Sequence, residues 1–246
     1  MKAMIFAAGK GTRLQPLTNT MPKALVPVGG RPLLERLIRK LIASGCNEII
    51  VNVHYFAQQI ADFLQVNRNF GIRIELSDET DKLLDTGGGL AKAAWFFDDG
   101  KPFIVHNVDI VSSINLQALY HAHQSSNAAA TLAVSERATS RYLLFDNSNR
   151  LQGWINESTG ERKPINKTLE IAKLRKYAFS GIQVISPELL ECIKKHNGAF
   201  SIIDLYLEQM EQMPISSVCA TDEIIIDVGK MATFEEANDF IKKAGL

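Results

Sequence analysis

Apolar positions along the chain change their period repeatedly, and each change marks an element. Ala3-Met4-Ile5-Phe6 is a continuous apolar run that reads as a strand. From Arg31 to Ser44, Leu34, Leu37, Ile38, Leu41 and Ile42 recur at helical spacing, and Pro32 suits the first turn of that helix. Glu48 to Val53 is again continuous and β-prone. Tyr55 to Val66 sets Phe56, Ile60, Phe63 and Leu64 on one helical face, and Ile72, Ile74 and Leu76 alternate as in a strand. A short helix over Leu90 to Phe97, a strand over Pro102 to His106 and a helix over Leu116 to Gln124 continue the series. Strand alternating with helix predicts a largely parallel sheet with helices on both faces.

The second half is less regular. Ala129 to Val134 and Ala178 to Ile185 read as strands, while Arg141 to Phe145 and Leu151 to Ile155 flank the turn-forming Asp146-Asn147-Ser148-Asn149. Antiparallel strands are therefore expected beside the parallel ones. Asn156 to Lys176, charged and without period, predicts a long exposed excursion. Helices follow over Glu188 to Lys195 and Ile202 to Met213, then a strand over Glu223 to Val228. A Thr233/Glu236 capping box starts the last helix. With no internal repeat, low-complexity tract or linker, residues 1–246 read as one α/β domain.

Composition narrows the chemistry. The 246 residues, 46% hydrophobic, suffice for a sizeable core. Lys and Arg balance Asp and Glu at 27 each, so no net field attracts nucleic acid or an anionic membrane. Any phosphate chemistry must rest on local positive charge. Cys46, Cys192 and Cys219 are odd in number and widely spaced, forming neither a disulfide framework nor a metal cluster, which fits a reducing cytoplasm. The apolar run at the N-terminus is too short for a signal peptide or a membrane span. The five histidines lack metal-ligand spacing, and His121 with His123 reads as a solvated helix face.

Four segments carry candidate chemistry. Directly after the first strand comes Ala7-Ala8-Gly9-Lys10-Gly11-Thr12-Arg13-Leu14-Gln15-Pro16-Leu17-Thr18, then Pro22-Lys23-Ala24-Leu25-Val26-Pro27-Val28. Its glycines let backbone N–H groups approach phosphate oxygens, and Arg13 and Lys23 offer a planar fork and a mobile point charge. The spacing excludes a P-loop and a dinucleotide fingerprint. The second segment, Asp85-Thr86-Gly87-Gly88-Gly89-Leu90, sets three glycines before a helix, a flexible turn when read alone. The third and fourth are apolar runs ending in a carboxylate, Phe103 to Asp109 and Glu223 to Asp227. Open α/β sheets bind ligands beyond the carboxyl ends of their strands, so Asp109 should face the loop after Phe6.

These segments strongly resemble the sugar-nucleotide pyrophosphorylase signature, and the motif set is most similar to that of N-acetylmuramate 1-phosphate uridylyltransferases. The resemblance runs from Met1 to the last helix. It implies a minimal catalytic domain, without an appended left-handed β-helix, whose Rossmann-like (glycosyltransferase A-like) sheet is open and mostly parallel with antiparallel additions. The implied activity transfers a nucleotidyl group from a nucleoside triphosphate to a sugar 1-phosphate. Nucleotide contacts are implied at Ala7, Ala8, Gly9, Gly11, Thr12, Arg13, Lys23, Gly87, Gly88 and Asn107, with Gly87 and Gly88 beside the base. Arg13, Lys23 and Asp109 form the implied catalytic set.

Asp109 and Asp227 are the implied metal ligands. Mg²⁺ suits them, because it binds through one or two carboxylates plus substrate phosphates. Parallel strands are expected to bring the two carboxylates to one sheet edge. Val108 replaces the family's usual Gly before Asp109, and Lys230 and Met231 replace Thr and Pro after Gly229. Glu157 and Gly181 are implied at the sugar, although the residues alone equally read as a solvated loop carboxylate and a strand bulge. A cytidylyltransferase for a small phosphorylated alcohol such as phosphocholine, or a non-catalytic nucleotide-sensing module, would use the same loop. A homodimer stays open.

Overall fold

The computed structural model describes residues 1–164 and 170–244. Four strands form the parallel core: β1 (Lys2–Phe6), β4 (Glu48–Val53), β5 (Arg73–Asp78) and β6 (Phe103–Asn107). A small antiparallel ladder, β2 (Pro27–Val28) with β3 (Arg31–Pro32), lies between β1 and helix α1 (Leu33–Ala43). Helix α2 (Ala57–Val66) joins β4 to β5, and α3 (Asp85–Ala93) leads towards β6. Strand β7 (Ile110–Ser112) and helix α4 (Leu116–Gln124) follow.

The other wing is antiparallel. It holds β8 (Ala130–Ser135), β9 (Arg141–Phe145), β10 (Leu151–Asn156), β11 (Arg162–Lys163) and β12 (Arg175–Ile185). Helices α5 (Pro187–Ile193) and α6 (Ile202–Gln209), strands β13 (Ile215–Cys219) and β14 (Ile225–Asp227) and helix α7 (Met231–Ala244) complete the described chain. The main sheet runs β11-β10-β9-β12-β6-β1-β4-β5, with β8 between β12 and β13. The long β12 serves β6, β8 and β9 because it bends at Gly181, whose φ of +72° coincides with a register shift against β8.

Continuous apolar strands suit a sheet covered on both sides. Ala3, Ile5, Ile49 and Val51 join the core under α1, α4 and α7, whereas Met4, Ile50, Phe103 and Val105 join the core under α3, α5 and α6. This alternation is the period of two expected of a strand. No helix among the described residues is long and apolar enough to cross a membrane.

Several expectations need correcting. Helix α1 begins at Leu33, not Arg31, because Arg31 and Pro32 are paired with Pro27 and Val28. Gly87, Gly88 and Gly89 lie inside α3, where tight packing compensates their poor helix propensity. Helix α7 starts two residues before Thr233, whose hydroxyl instead accepts the Lys230 N–H at 3.3 Å. Strand β14 is not a parallel strand of the main sheet, but pairs antiparallel with β7 in a separate ladder. His123 is buried, held between Thr131 Oγ1 (2.8 Å) and Ser186 Oγ (2.9 Å). The excursion after Asn156 contains β11 and a short turn of helix at Ile171–Lys173, and its residues 165–169 lie outside the described residues.

Candidate active site

The carboxyl ends of β1, β4, β5 and β6 open on one side of the sheet, and the site is assembled there. β1 ends at Phe6, and the Ala7 N–H donates to Asn52 Oδ1 (2.7 Å) at the end of β4. Asn52 in turn donates to Glu79 Oε1 (2.8 Å), a fully buried carboxylate whose other oxygen accepts the Leu84 N–H (3.0 Å). This brace fixes the start of the Gly-rich loop relative to α3. Beyond it the loop coils into a short turn of helix at Thr12–Leu14, and the Leu14 N–H and Thr18 hydroxyl both donate to Gly11 O at 2.9 Å. Thr12 and Arg13 are left exposed at the rim.

Ala8, Gly9, Asn107 and Asp109 line one cavity of about 370 Å³ together with Asn52, Glu79, Asp85 and Thr86. At its edge, Lys23 is buried in the turn Lys23–Leu25 and its ammonium donates to Asp109 Oδ2. The β7–β14 ladder brings the second carboxylate: Asp227 is in register with Ile110, and the Val228 N–H donates to the Asp109 carbonyl (2.8 Å). The expected meeting of Asp109 and Asp227 is thus made through an antiparallel pair rather than parallel strands. Arg13 reaches the same place, since a Cβ on Gly229 would meet Asp227 Oδ1 at 2.7 Å and Arg13 Nη2 at 2.9 Å.

Electrostatics set Asp227 apart. The residue is open to solvent on one side, but the protein around it partly desolvates its carboxyl, and Asp109 adds like charge. Both effects raise its pKa above the ordinary 3.8, against the opposing pull of Lys23, Arg13 and Arg137. Two carboxylates held this closely, one of them poorly solvated, suit a divalent cation that also binds phosphate oxygens. No group of three or more His, Cys, Asp or Glu side chains that could hold a metal occurs among the described residues. A Mg²⁺ site does not require one, because substrate and water fill the remaining positions.

The remaining sequence-predicted residues fall in different places. Gly87 and Gly88 lie just behind the cavity wall, with both amides donating to the Phe200 carbonyl (2.9 and 3.3 Å), so their backbone is already engaged in packing α3. Gly181 packs on Asn107, where an added Cβ would meet Asn107 Nδ2 at 2.7 Å. Glu157 is exposed, pairs with Lys176 at 2.7 Å and lines neither the cavity above nor the one below. Asn52, Glu79 and Arg137 were not singled out from the sequence. For Asn52 the signal was present: a polar residue inside the apolar run Ile49 to Val53 needs a buried partner.

A second cavity of about 440 Å³ is lined by Arg137, Arg141, Trp154, Asn156, Lys163 and Phe179, among others. Arg137 links the two regions, donating to the Phe179 carbonyl (3.2 Å) while its charge acts on Asp227.

Comparison with known proteins identifies the family and the fold. The nucleotidyl transferase family profile matches residues 2–244. An N-acetylmuramate alpha-1-phosphate uridylyltransferase of Caulobacter vibrioides is 32% identical over 210 residues, covering 83% of this chain and 82% of the relative. Its namesake from Neisseria meningitidis serogroup B is 31% identical over 244 residues, covering 96% of each. Among solved structures, HddC from Yersinia pseudotuberculosis, complexed with GMP-PN, superposes with a TM-score of 0.74 at 21% identity, covering 98% of this chain and 99% of that one.

Proposed function

The chain belongs to the nucleotidyl transferase family, whose chemistry joins a nucleoside triphosphate to a sugar 1-phosphate, and we propose that this member transfers a uridylyl group from UTP to N-acetylmuramate 1-phosphate or a related hexose 1-phosphate. The observation that carries this reading is the meeting of Lys23, Asp109 and Asp227 at the edge of a cavity floored by Ala8 and Gly9. Two relatives spanning most of the chain support the choice of acceptor. The second cavity has a mixed charged lining, Arg137 and Arg141 beside Glu161 and a Lys163–Asp204 pair, in which the two arginines would face an anionic acceptor.

In this reading a sugar-phosphate oxygen attacks the α-phosphorus, forming one P–O bond as the bond to the departing pyrophosphate breaks. The reaction demands positioning and charge neutralisation rather than proton transfer, because the phosphate monoester is largely ionised near neutrality. Lys23 and Arg13 carry positive charge to the phosphates, and the open backbone at Gly9 lets them approach closely. Asp109 and Asp227 would hold Mg²⁺, which when bound neutralises phosphate charge. No histidine is needed as a base. His106 is wholly buried, and its Nδ1–H donates to the Asn107 carbonyl (2.8 Å). Burial there depresses its pKa to about 3. The unpaired cysteines suit a reducing cytoplasm.

The test is a matrix of UTP, CTP, GTP and dTTP against N-acetylmuramate 1-phosphate, glucose 1-phosphate, mannose 1-phosphate and phosphocholine, scored by pyrophosphate release. UTP with N-acetylmuramate 1-phosphate is expected to be the most efficient pair. Preference for CTP with phosphocholine, or no release with any pair, would overturn the proposal.

A further inference from the structure

A larger cavity, about 650 Å³, adjoins the β7–β14 ladder and shares no lining residue with the two described above. Leu33 and Leu37 of α1, Val111 of β7 and Phe240 of α7 give it an apolar floor. Its charged lining is entirely basic: Arg31, Arg36, Arg39 and Lys40, with no Asp or Glu. In a chain whose charges balance at 27 each, this is a local arrangement and not a reflection of composition.

The cations are unequally satisfied. Arg36 donates to the Val28 and Gly29 carbonyls, Arg39 pairs with Glu35 at 2.8 Å, and Lys40 donates to the Ser112 carbonyl and hydroxyl. The Arg31 guanidinium makes no hydrogen bond or ion pair among the described residues. Two carboxylates outside the lining act on these cations: Glu35, which also pairs with Arg39, faces Arg36, and Glu223, which accepts the Ser113 hydroxyl, faces Lys40. Pockets of about 300–1,000 Å³ with an apolar lining and a few charged groups are typical of small-ligand sites.

We propose that this cavity binds a small organic anion, its apolar body seated on Leu33, Leu37, Val111 and Phe240 and its carboxylate or phosphate held among Arg31, Arg36 and Lys40. The site is wired to the catalytic region by covalent and hydrogen-bonded neighbours. Val108 on its wall precedes Asp109, and Ile110 on its wall is the register partner of Asp227. An occupant therefore braces the strand pair that carries Asp227 and begins next to Asp109. Any effect of the occupant on turnover would rest on the function proposed above, whereas binding and bracing do not.

The test uses the full chain and the amphipathic anion 8-anilinonaphthalene-1-sulfonate, with uncharged N-phenyl-1-naphthylamine as its control. We expect saturable one-site binding of the anion, weakened about tenfold or more by Arg31→Ser combined with Lys40→Met, with the control changed far less. Arg31→Ser alone, at an exposed side chain, keeps the test valid if the double variant misfolds, and should weaken the anion by a smaller factor. Bound anion should slow hydrogen exchange in peptides covering residues 108–113 and 224–228. Displacement by octanoate against octyl phosphate tells which head group is preferred. Undetectable binding, unchanged affinity in both variants, or equal losses for both probes would overturn the site. Binding without slowed exchange at those peptides would overturn the bracing. None of these readouts depends on pyrophosphate release, so failure of the proposed reaction remains separately visible.

Discussion

Lys23 and Asp109 are partners in the structure, and in the proposed function substrate phosphate would compete with the Asp109 carboxylate for the Lys23 ammonium. Lys23→Ala is accordingly expected to lower turnover about a hundredfold or more while the protein stays folded, as loss of a charge contact in the transition state does. Steady-state kinetics with circular dichroism on the same sample check both halves. Asp227 invites a different measurement. A carboxyl whose folded pKa is raised contributes stability that is fully present below its unfolded pKa and lost as pH rises through the folded value. Ionised Asp227 therefore opposes the fold at neutral pH when no cation is bound. Asp227→Asn should raise the neutral-pH melting temperature of the metal-free protein, with the gain shrinking as pH is lowered towards 3.8, and should cost several orders of magnitude in turnover. A lower neutral-pH melting temperature would contradict the electrostatic account.

At the scale of elements, α3 is the most informative. Three consecutive glycines argue against a helix on propensity, yet their absent side chains let it pack closely. A Cβ on Gly88 would meet the Gly198 carbonyl at 2.3 Å, and one on Gly87 would meet the Phe200 ring at 2.3 Å. Gly88→Ala is expected to cost about 1–3 kcal/mol, measured by urea denaturation, because the obstacle is backbone that cannot swing aside. Strands and helices with a clean period were legible in the sequence: Glu48 to Val53 and Leu116 to Gln124 match β4 and α4 residue for residue. What stayed hidden depended on distant partners. The helix through Gly87–Gly89 needs Phe200 and Gly198. Strand β13, with polar Ser216 and Ser217 at its centre, needs β8, and the antiparallel setting of β14 needs β7. At the site, Asp109 stood out because a carboxylate closes an apolar run, and Lys23 because a cation follows a Gly-rich loop, whereas Arg137 sits in an exposed stretch with no such contrast.

For the whole molecule, two buried histidines contribute to the response to mild acid. Burial depresses His106 to about 3 and His123 to about 4, from an ordinary 6.5. As pH falls below 6.5 the unfolded chain takes up protons that the fold refuses, so stability declines by up to about 1.4 kcal/mol per pH unit for each group. The loss should continue until the folded values are reached. His123→Gln, which keeps a polar side chain between Thr131 and Ser186, is expected to flatten this slope without changing the neutral-pH activity. Melting curves from neutral pH downwards check it, and an unchanged slope would point away from His123.

The β7–β14 ladder also has a meaning in time. A ribosome delivers the Gly-rich loop, Lys23 and Asp109 long before residue 227, and N-terminal regions begin to fold during synthesis. The nascent chain can thus form β1, β4, β5 and β6 and the loop between the first two while one carboxylate of the candidate pair has yet to be made. Strand β14 is the late piece that closes the circuit, so on the function proposed above an unfinished chain lacks one of the groups the reaction would use.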